Sequence, residues 1–143
     1  MRPSRERIKR AGCRAVPKAR PLKIFIIDID GTICEHIRNE EGIERMRRAR
    51  AYPDVITEIN KWYEEGHYIC FFTARTSEHE KVTREWLKEH GVLYHQLIVN
   101  KPRKLPPYTE YHFIDDAHVK ATTFKGKITP FVRKKVEIEV FEE

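Results

Sequence analysis

Four short stretches of the 143-residue chain carry side chains that can do chemistry together. They are Asp28-Ile29-Asp30-Gly31-Thr32, Thr73-Ala74-Arg75, Asn100-Lys101 and Asp115-Asp116. A carboxylate such as Asp28 is already ionised at neutral pH, so it can attack phosphorus without a base to activate it. The product is an aspartyl-phosphate, a mixed anhydride that water hydrolyses readily. A second acid must protonate the leaving alkoxide and later take a proton from the attacking water, and Asp30 is placed for that role. Gly31 permits a tight turn there, and Thr32 is positioned to bond the turn and hold the two acids in register. Thr73 offers a hydroxyl and a backbone N–H to a phosphoryl oxygen. Lys101 offsets charge building in the transition state. Four carboxylates (Asp28, Asp30, Asp115, Asp116) gathered in one cleft would repel strongly without a cation, and all-oxygen ligation points to Mg²⁺. Ala74, Arg75 and Lys101 then border an anion that the metal also binds, for which phosphate is the natural candidate.

Convergence of these stretches depends on the elements that carry them. Residues 22–29 (LKIFIIDI) form a short, nearly continuous apolar run, as a strand buried on both faces of a parallel sheet does. Residues 33–52 are charged and irregular, and read as a loop with a short helix. Pro53 suits the first position of a helix, with Val55, Ile56, Ile59, Trp62 and Tyr63 on one face and Gly66 as its stop. Residues 67–73 (HYICFFT) are a second strand. Ser77 and Glu80 have capping-box spacing for a helix bearing Val82, Trp86 and Leu87 and ending at Gly91. Residues 97–99 and 111–114 predict third and fourth strands, and residues 128–132 and 136–141 two more extended segments. Alternating strands and helices predict right-handed βαβ units and an α/β fold, a three-layer Rossmann-like parallel sheet with flanking helices. Ligands of such sheets bind at the carboxyl ends of the strands, where all four stretches fall.

Composition narrows the class. The chain is 40% hydrophobic and 35% charged, with a length that suits a single core, and no apolar run reaches a membrane span. Residues 1–23 hold nine Lys/Arg against one acid, Glu6, whereas the remaining 120 residues hold 19 bases against 21 acids. The net charge of +6 therefore belongs to the start of the chain. Residues 1–21 read as a basic, disordered tail and residues 22–143 as the phosphatase domain. Cys13, Cys34 and Cys70 make neither a zinc pattern nor a disulfide framework, which fits a cytoplasmic protein. The seven histidines show no ligand spacing.

Residues 28–32 (DIDGT), Thr73, Lys101 and the acidic pair Asp115-Asp116 together resemble, in order, the four motifs of the haloacid dehalogenase superfamily of aspartate-nucleophile phosphohydrolases. The resemblance covers about residues 22–132. It implies Asp28 as nucleophile, Asp30 as acid/base and metal ligand through its carbonyl, and Thr73 and Lys101 as phosphate ligands. Asp116 becomes the magnesium ligand, with Asp115 supporting it or adding a further ligand. Lys104 competes with Lys101, which is preferred because it directly follows the third strand. Arg75 has two readings, substrate contact or partner of a neighbouring acid. Members often carry an inserted cap domain, but Asp30 to Thr73 is 43 positions and Thr73 to Lys101 is 28. Neither interval leaves room for one.

The sequence around the second and third motifs is most similar to small capless phosphatases of surface-polysaccharide and sugar-phosphate biosynthesis. A small phosphorylated metabolite is therefore the expected substrate, with a homo-oligomer one way of closing the open site. The order of parts is also similar to polynucleotide 3′-phosphatases. The basic tail and the five arginines between Arg38 and Arg50 would suit nucleic acid electrostatically. A third reading, from another class, is a non-catalytic binding module that works through its tail.

Overall fold

The computed structural model describes residues 22–103 and 110–122. Strand β1 (Ile24–Ile27), β2 (Tyr68–Phe72) and β3 (Gln96–Ile98) form a parallel sheet in that order, with β2 central. Ile24 lies opposite Tyr68, Ile27 opposite Phe71, and Phe72 opposite Ile98. Between β1 and β2 come a single 3-10 turn (Asn39–Glu41), a short helix α1 (Ile43–Arg47) and helix α2 (Pro53–Glu64). A second 3-10 turn (Ser77–His79) leads into α3 (Glu80–Glu89), which connects β2 to β3. The architecture is α/β and Rossmann-like. The two intervals in which a cap would be inserted hold only these elements.

Alternation along the strands decides where the core sits. Ile27, Ile69, Phe71 and Leu97 share one face and join a single buried cluster with Val55, Ile59 and Trp62 of α2 and Val82, Trp86 and Leu87 of α3. Phe25 stacks on Trp62 at 4.0 Å between ring centroids. Both crossovers step the same way along the sheet, and right-handed connections then put both helices on the same side. The other face carries Ile24, Ile26, Tyr68 and Ile98, all exposed among the described residues. A third layer on that face is not among the described residues.

Two expectations need correction. Residues 111–114 are not a strand: Tyr111, Phe113 and Ile114 are exposed, and the outer edge of β1 has no partner among the described residues. Local apolarity cannot by itself supply the hydrogen-bonding edge that a strand requires. The cap falls on Thr76 rather than Ser77, and it closes the 3-10 turn that leads into α3. The Thr76 backbone N–H donates to Nδ1 of His79 (3.1 Å), and the same nitrogen lies 3.0 Å from the Thr76 hydroxyl. His79 thus plays the reciprocal part expected of Glu80. The tail, Lys104 and the two C-terminal segments lie outside the described residues.

Candidate active site

The loop after β1 builds the first part of the site. Gly31 has φ +83°, in the left-handed region, and its N–H donates to the Cys34 carbonyl at 2.9 Å. The N–H groups of Thr32 and Ile33 both donate to the Ile29 carbonyl at 3.0 Å. Beyond this turn the chain doubles back on itself: Tyr52 N–H donates to Ile33 O and Glu35 N–H to Arg50 O, each at 2.9 Å. Glu35 locks the clasp by accepting from Arg50 N–H (2.9 Å) and pairing with Arg45 (3.0 Å). These bonds, Arg45 first, hold the Glu35 carboxyl below its ordinary range.

Asp28 and Asp30 meet opposite surroundings. The Asp28 side chain is 40% exposed, and its Oδ1 lies 3.3 Å from Nζ of Lys101. Asp30 is largely buried and accepts two bonds from Arg75, Nη2 to Oδ1 at 2.7 Å and Nε to Oδ2 at 3.0 Å. Arg75 is itself buried, and its Nη1 donates to the Thr83 hydroxyl (2.9 Å), which in turn donates to the His79 carbonyl (2.8 Å). A planar fork held this way is bidentate recognition of a carboxylate. Of the two readings of Arg75, the structure selects the partner of an acid. Thr83 and His79 were not singled out as site residues. The one signal was a polar Thr83 in the apolar stripe of α3.

The second and third stretches are stitched to each other. Lys101 N–H donates to the Thr73 carbonyl and Asn100 N–H to the Arg75 carbonyl, both at 2.8 Å. Asn100 reaches this geometry with φ +67°, which asparagine tolerates better than most residues. Thr73 is fully buried, and its backbone N–H is occupied by the Ile98 carbonyl at 2.9 Å. That N–H is therefore not available to a phosphoryl oxygen as expected, because β2 pairs with β3 up to that point. The Thr73 hydroxyl accepts from Arg75 N–H (3.1 Å) and keeps its own proton to donate. The Ala74 carbonyl is bridged by the Asn39 side-chain amide at 3.0 Å.

The structure thus brings Asp28, Asp30, Thr32, Thr73, Ala74, Arg75 and Lys101 to one end of the sheet. Asp115 and Asp116 do not join them: both are exposed, and among the described residues no three Asp, Glu, His or Cys side chains converge as a metal site would require. The Asp115 carboxyl is held low mainly by the Ala117 N–H, with help from Asp116. The segment nonetheless starts at the site, because the Tyr111 ring lies 5.5 Å from Lys101 Nζ. Asp115 is four residues on, at most about 14 Å along the chain.

Cys34 lies beneath the loop, fully buried, with Sγ 3.9 Å from Asp30 Oδ1. Burial, then the Asp30 charge, push its thiol up to about 12. The folded state therefore holds this proton more tightly than the unfolded chain. The resulting stability is present below the ordinary thiol value and is lost as pH rises from about 9 towards 12. Native protein at neutral pH is expected to leave Cys34 unlabelled by iodoacetamide, with labelling appearing only with unfolding. Mass spectrometry of the Cys34 peptide checks this, and rapid labelling of folded protein would contradict it.

The family model described as the phosphatase domain of polynucleotide kinase, PNKP, matches residues 22–138. The chain belongs to that family and is a phosphatase of the haloacid dehalogenase superfamily. No curated protein matches it. Among solved structures, a structural-genomics target from Vibrio cholerae is 25% identical, covering 68% of this chain and 83% of its own, with a TM-score of 0.48. A chain of the Pnkp1/Rnl/Hen1 complex is 16% identical, covering 63% of this chain and 30% of its own, with a TM-score of 0.49. No helix among the described residues is long and apolar enough to cross a membrane.

Proposed function

We propose that the chain hydrolyses phosphomonoesters through an aspartyl-phosphate formed on Asp28, with Mg²⁺ as cofactor. The observation that carries this is the contrast between the two acids. Asp28 is open to a ligand and has a lysine cation 3.3 Å away, whereas Asp30 is turned inward and gripped by Arg75. An Oδ of Asp28 attacks phosphorus, the ester P–O bond breaks, and the leaving alkoxide takes a proton from the Asp30 carboxyl. Water then attacks phosphorus and gives its proton to Asp30, and the Asp28–phosphorus bond breaks. A proton on Asp30 occupies a lone pair that the Arg75 fork does not use, and it weakens both of those bonds because a neutral carboxyl is the poorer acceptor. Lys101 balances charge on Asp28 and the phosphoryl group throughout.

The donor set suits magnesium in kind, being carboxylate and carbonyl oxygen. Asp28 and the Asp30 carbonyl would hold the ion together with Asp116, with Asp115 beside it, once the segment from Tyr111 is drawn in. When bound, the ion supplies charge neutralisation at the phosphoryl group.

Two substrate classes remain open to this chemistry. The capless spacing suits a small sugar phosphate, and the family's description supports a phosphorylated nucleic-acid end. The arginines of residues 38–50 lend the second class less than their number implies. Arg38, Arg45 and Arg47 pair with Glu41, Glu35 and Glu44 or Glu85 at 2.9–3.8 Å. A panel of sugar phosphates, nucleotides and 3′-phosphorylated oligonucleotides, each with and without EDTA, tests the proposal. Turnover that EDTA abolishes and Mg²⁺ restores is expected, and turnover indifferent to chelation would overturn the metal's part. Turnover confined to oligonucleotides would exclude the metabolite class. The binding-module alternative predicts that no ester in the panel turns over.

A further inference from the structure

His36 and Arg103 meet at the rim of the site although 67 residues separate them in sequence, with Arg103 Nη2 3.4 Å from His36 Nε2. Each is tied to a loop already placed at the reacting centre. The imidazole of His36 lies over Gly31, where a Cβ would stand 3.4 Å from His36 Cδ2. Arg103 follows Lys101 by two residues, so the two Cα atoms are within about 7 Å. Both side chains are exposed.

The charge balance of this contact differs from that of three arginines on the neighbouring segment. Arg38, Arg45 and Arg47 each have a glutamate partner. Arg103 faces only another base, and no carboxylate partners it among the described residues. A guanidinium donates and never accepts, so in this contact His36 Nε2 must be the acceptor. An anion entering between them converts one indifferent contact into two charge-assisted ones, since the imidazole can take up a proton and donate.

We infer that His36 and Arg103 form a second anion subsite, which takes a further phosphate of the same substrate beside the one hydrolysed on Asp28. The ligand class is a phosphomonoester that carries a second phosphate, for which phosphorylated nucleosides serve as probes. This deepens the phosphatase reading of the site and rests on it. It does not use the arginines of residues 38–50 or the N-terminal tail.

The test compares the full-length protein with its R103Q, R103K and H36Q variants on three substrates. These are p-nitrophenyl phosphate, a nucleoside 3′-monophosphate and a nucleoside 3′,5′-bisphosphate. Loss of one charge-assisted contact is expected to lower kcat/KM for the bisphosphate by roughly tenfold, mostly through KM, in R103Q. The two monophosphates should change by less than about twofold, and R103K should recover part of the loss. A 3′-phosphorylated dinucleotide separates the two sources of the second phosphate: loss on it alone, with the bisphosphate unaffected, assigns the subsite to a strand phosphodiester. Equal losses on all substrates would mean that the contact only tethers residues 101–103 to the loop, and no loss on any would mean that it takes no anion; either result overturns the inference. Should the wild type hydrolyse none of the esters, the phosphatase reading fails by itself. Calorimetric titration of the bisphosphate into wild type and R103Q then still decides the subsite, and equal affinities would sink it.

Discussion

Replacing Asp28 by asparagine is expected to remove phosphoester turnover, by roughly 10⁴-fold or more, as for loss of other covalent nucleophiles. Stability should hardly change. Amide and carboxylate are nearly isosteric, the Asp28 side chain is 40% exposed, and the ion pair with Lys101 is partly solvated, so its loss costs little. The Ile29 N–H that donates to Asp28 Oδ1 at 2.8 Å keeps an acceptor in the amide oxygen. Steady-state assays, a thermal melt and acid-quench trapping of radiolabelled phosphoprotein check the three parts. A variant that melts as the wild type does yet still turns over substrate would remove the covalent step.

Arg75 should behave in the opposite way, with its largest effect on folding. Arg75→Met leaves the Asp30 carboxylate largely buried without its fork and strips the Thr83 hydroxyl of a donor. Breaking a buried pair on one side costs about 3–5 kcal/mol, a large share of the roughly 5–15 kcal/mol that holds a domain together. Arg75→Lys keeps the charge but cannot reproduce two parallel bonds plus the third to Thr83, so an intermediate loss is expected. Combining Arg75→Met with Asp30→Asn should return part of the stability, because the uncompensated charge is gone. Urea midpoints of the wild type, the single variants and the double variant give the coupling directly. Additive losses would show that the bidentate contact contributes nothing to the fold. Asp30→Asn alone should also lose activity, since an amide cannot pass the proton.

The two effects separate because the DxD pair divides its labour by burial. Asp28 lies at the edge of the sheet, with solvent on one side and a cation on the other. Asp30, two residues on, is swung under the loop by the turn at Gly31, where Arg75 and Cys34 meet it. Cys34 is fully buried on the same floor, and that burial, with the Asp30 charge beside it, raises its thiol.

The order of strands and helices is legible in the residues, because apolar periodicity and Gly stops are local signals: α2 and β2 fall within a residue or two of their expected bounds, and α3 starts three residues late, after a 3-10 turn at Ser77. Which strand ends carry acid, hydroxyl and lysine is legible there too, since spacing along the chain sets that. Tertiary structure alone decided whom each charge faces. Arg75 could equally have met substrate or acid until the fold placed Asp30 45 residues back within 2.7 Å. The N–H of Thr73 was equally available until β3 took it, and Arg38, Arg45 and Arg47 read as part of a basic patch until Glu35, Glu41, Glu44 and Glu85 met them. Residues 111–114 had the apolarity of a strand, but strandhood depends on an edge supplied by distant residues. Pairings of this kind are settled by the three-dimensional path of the chain, which no local window of sequence contains.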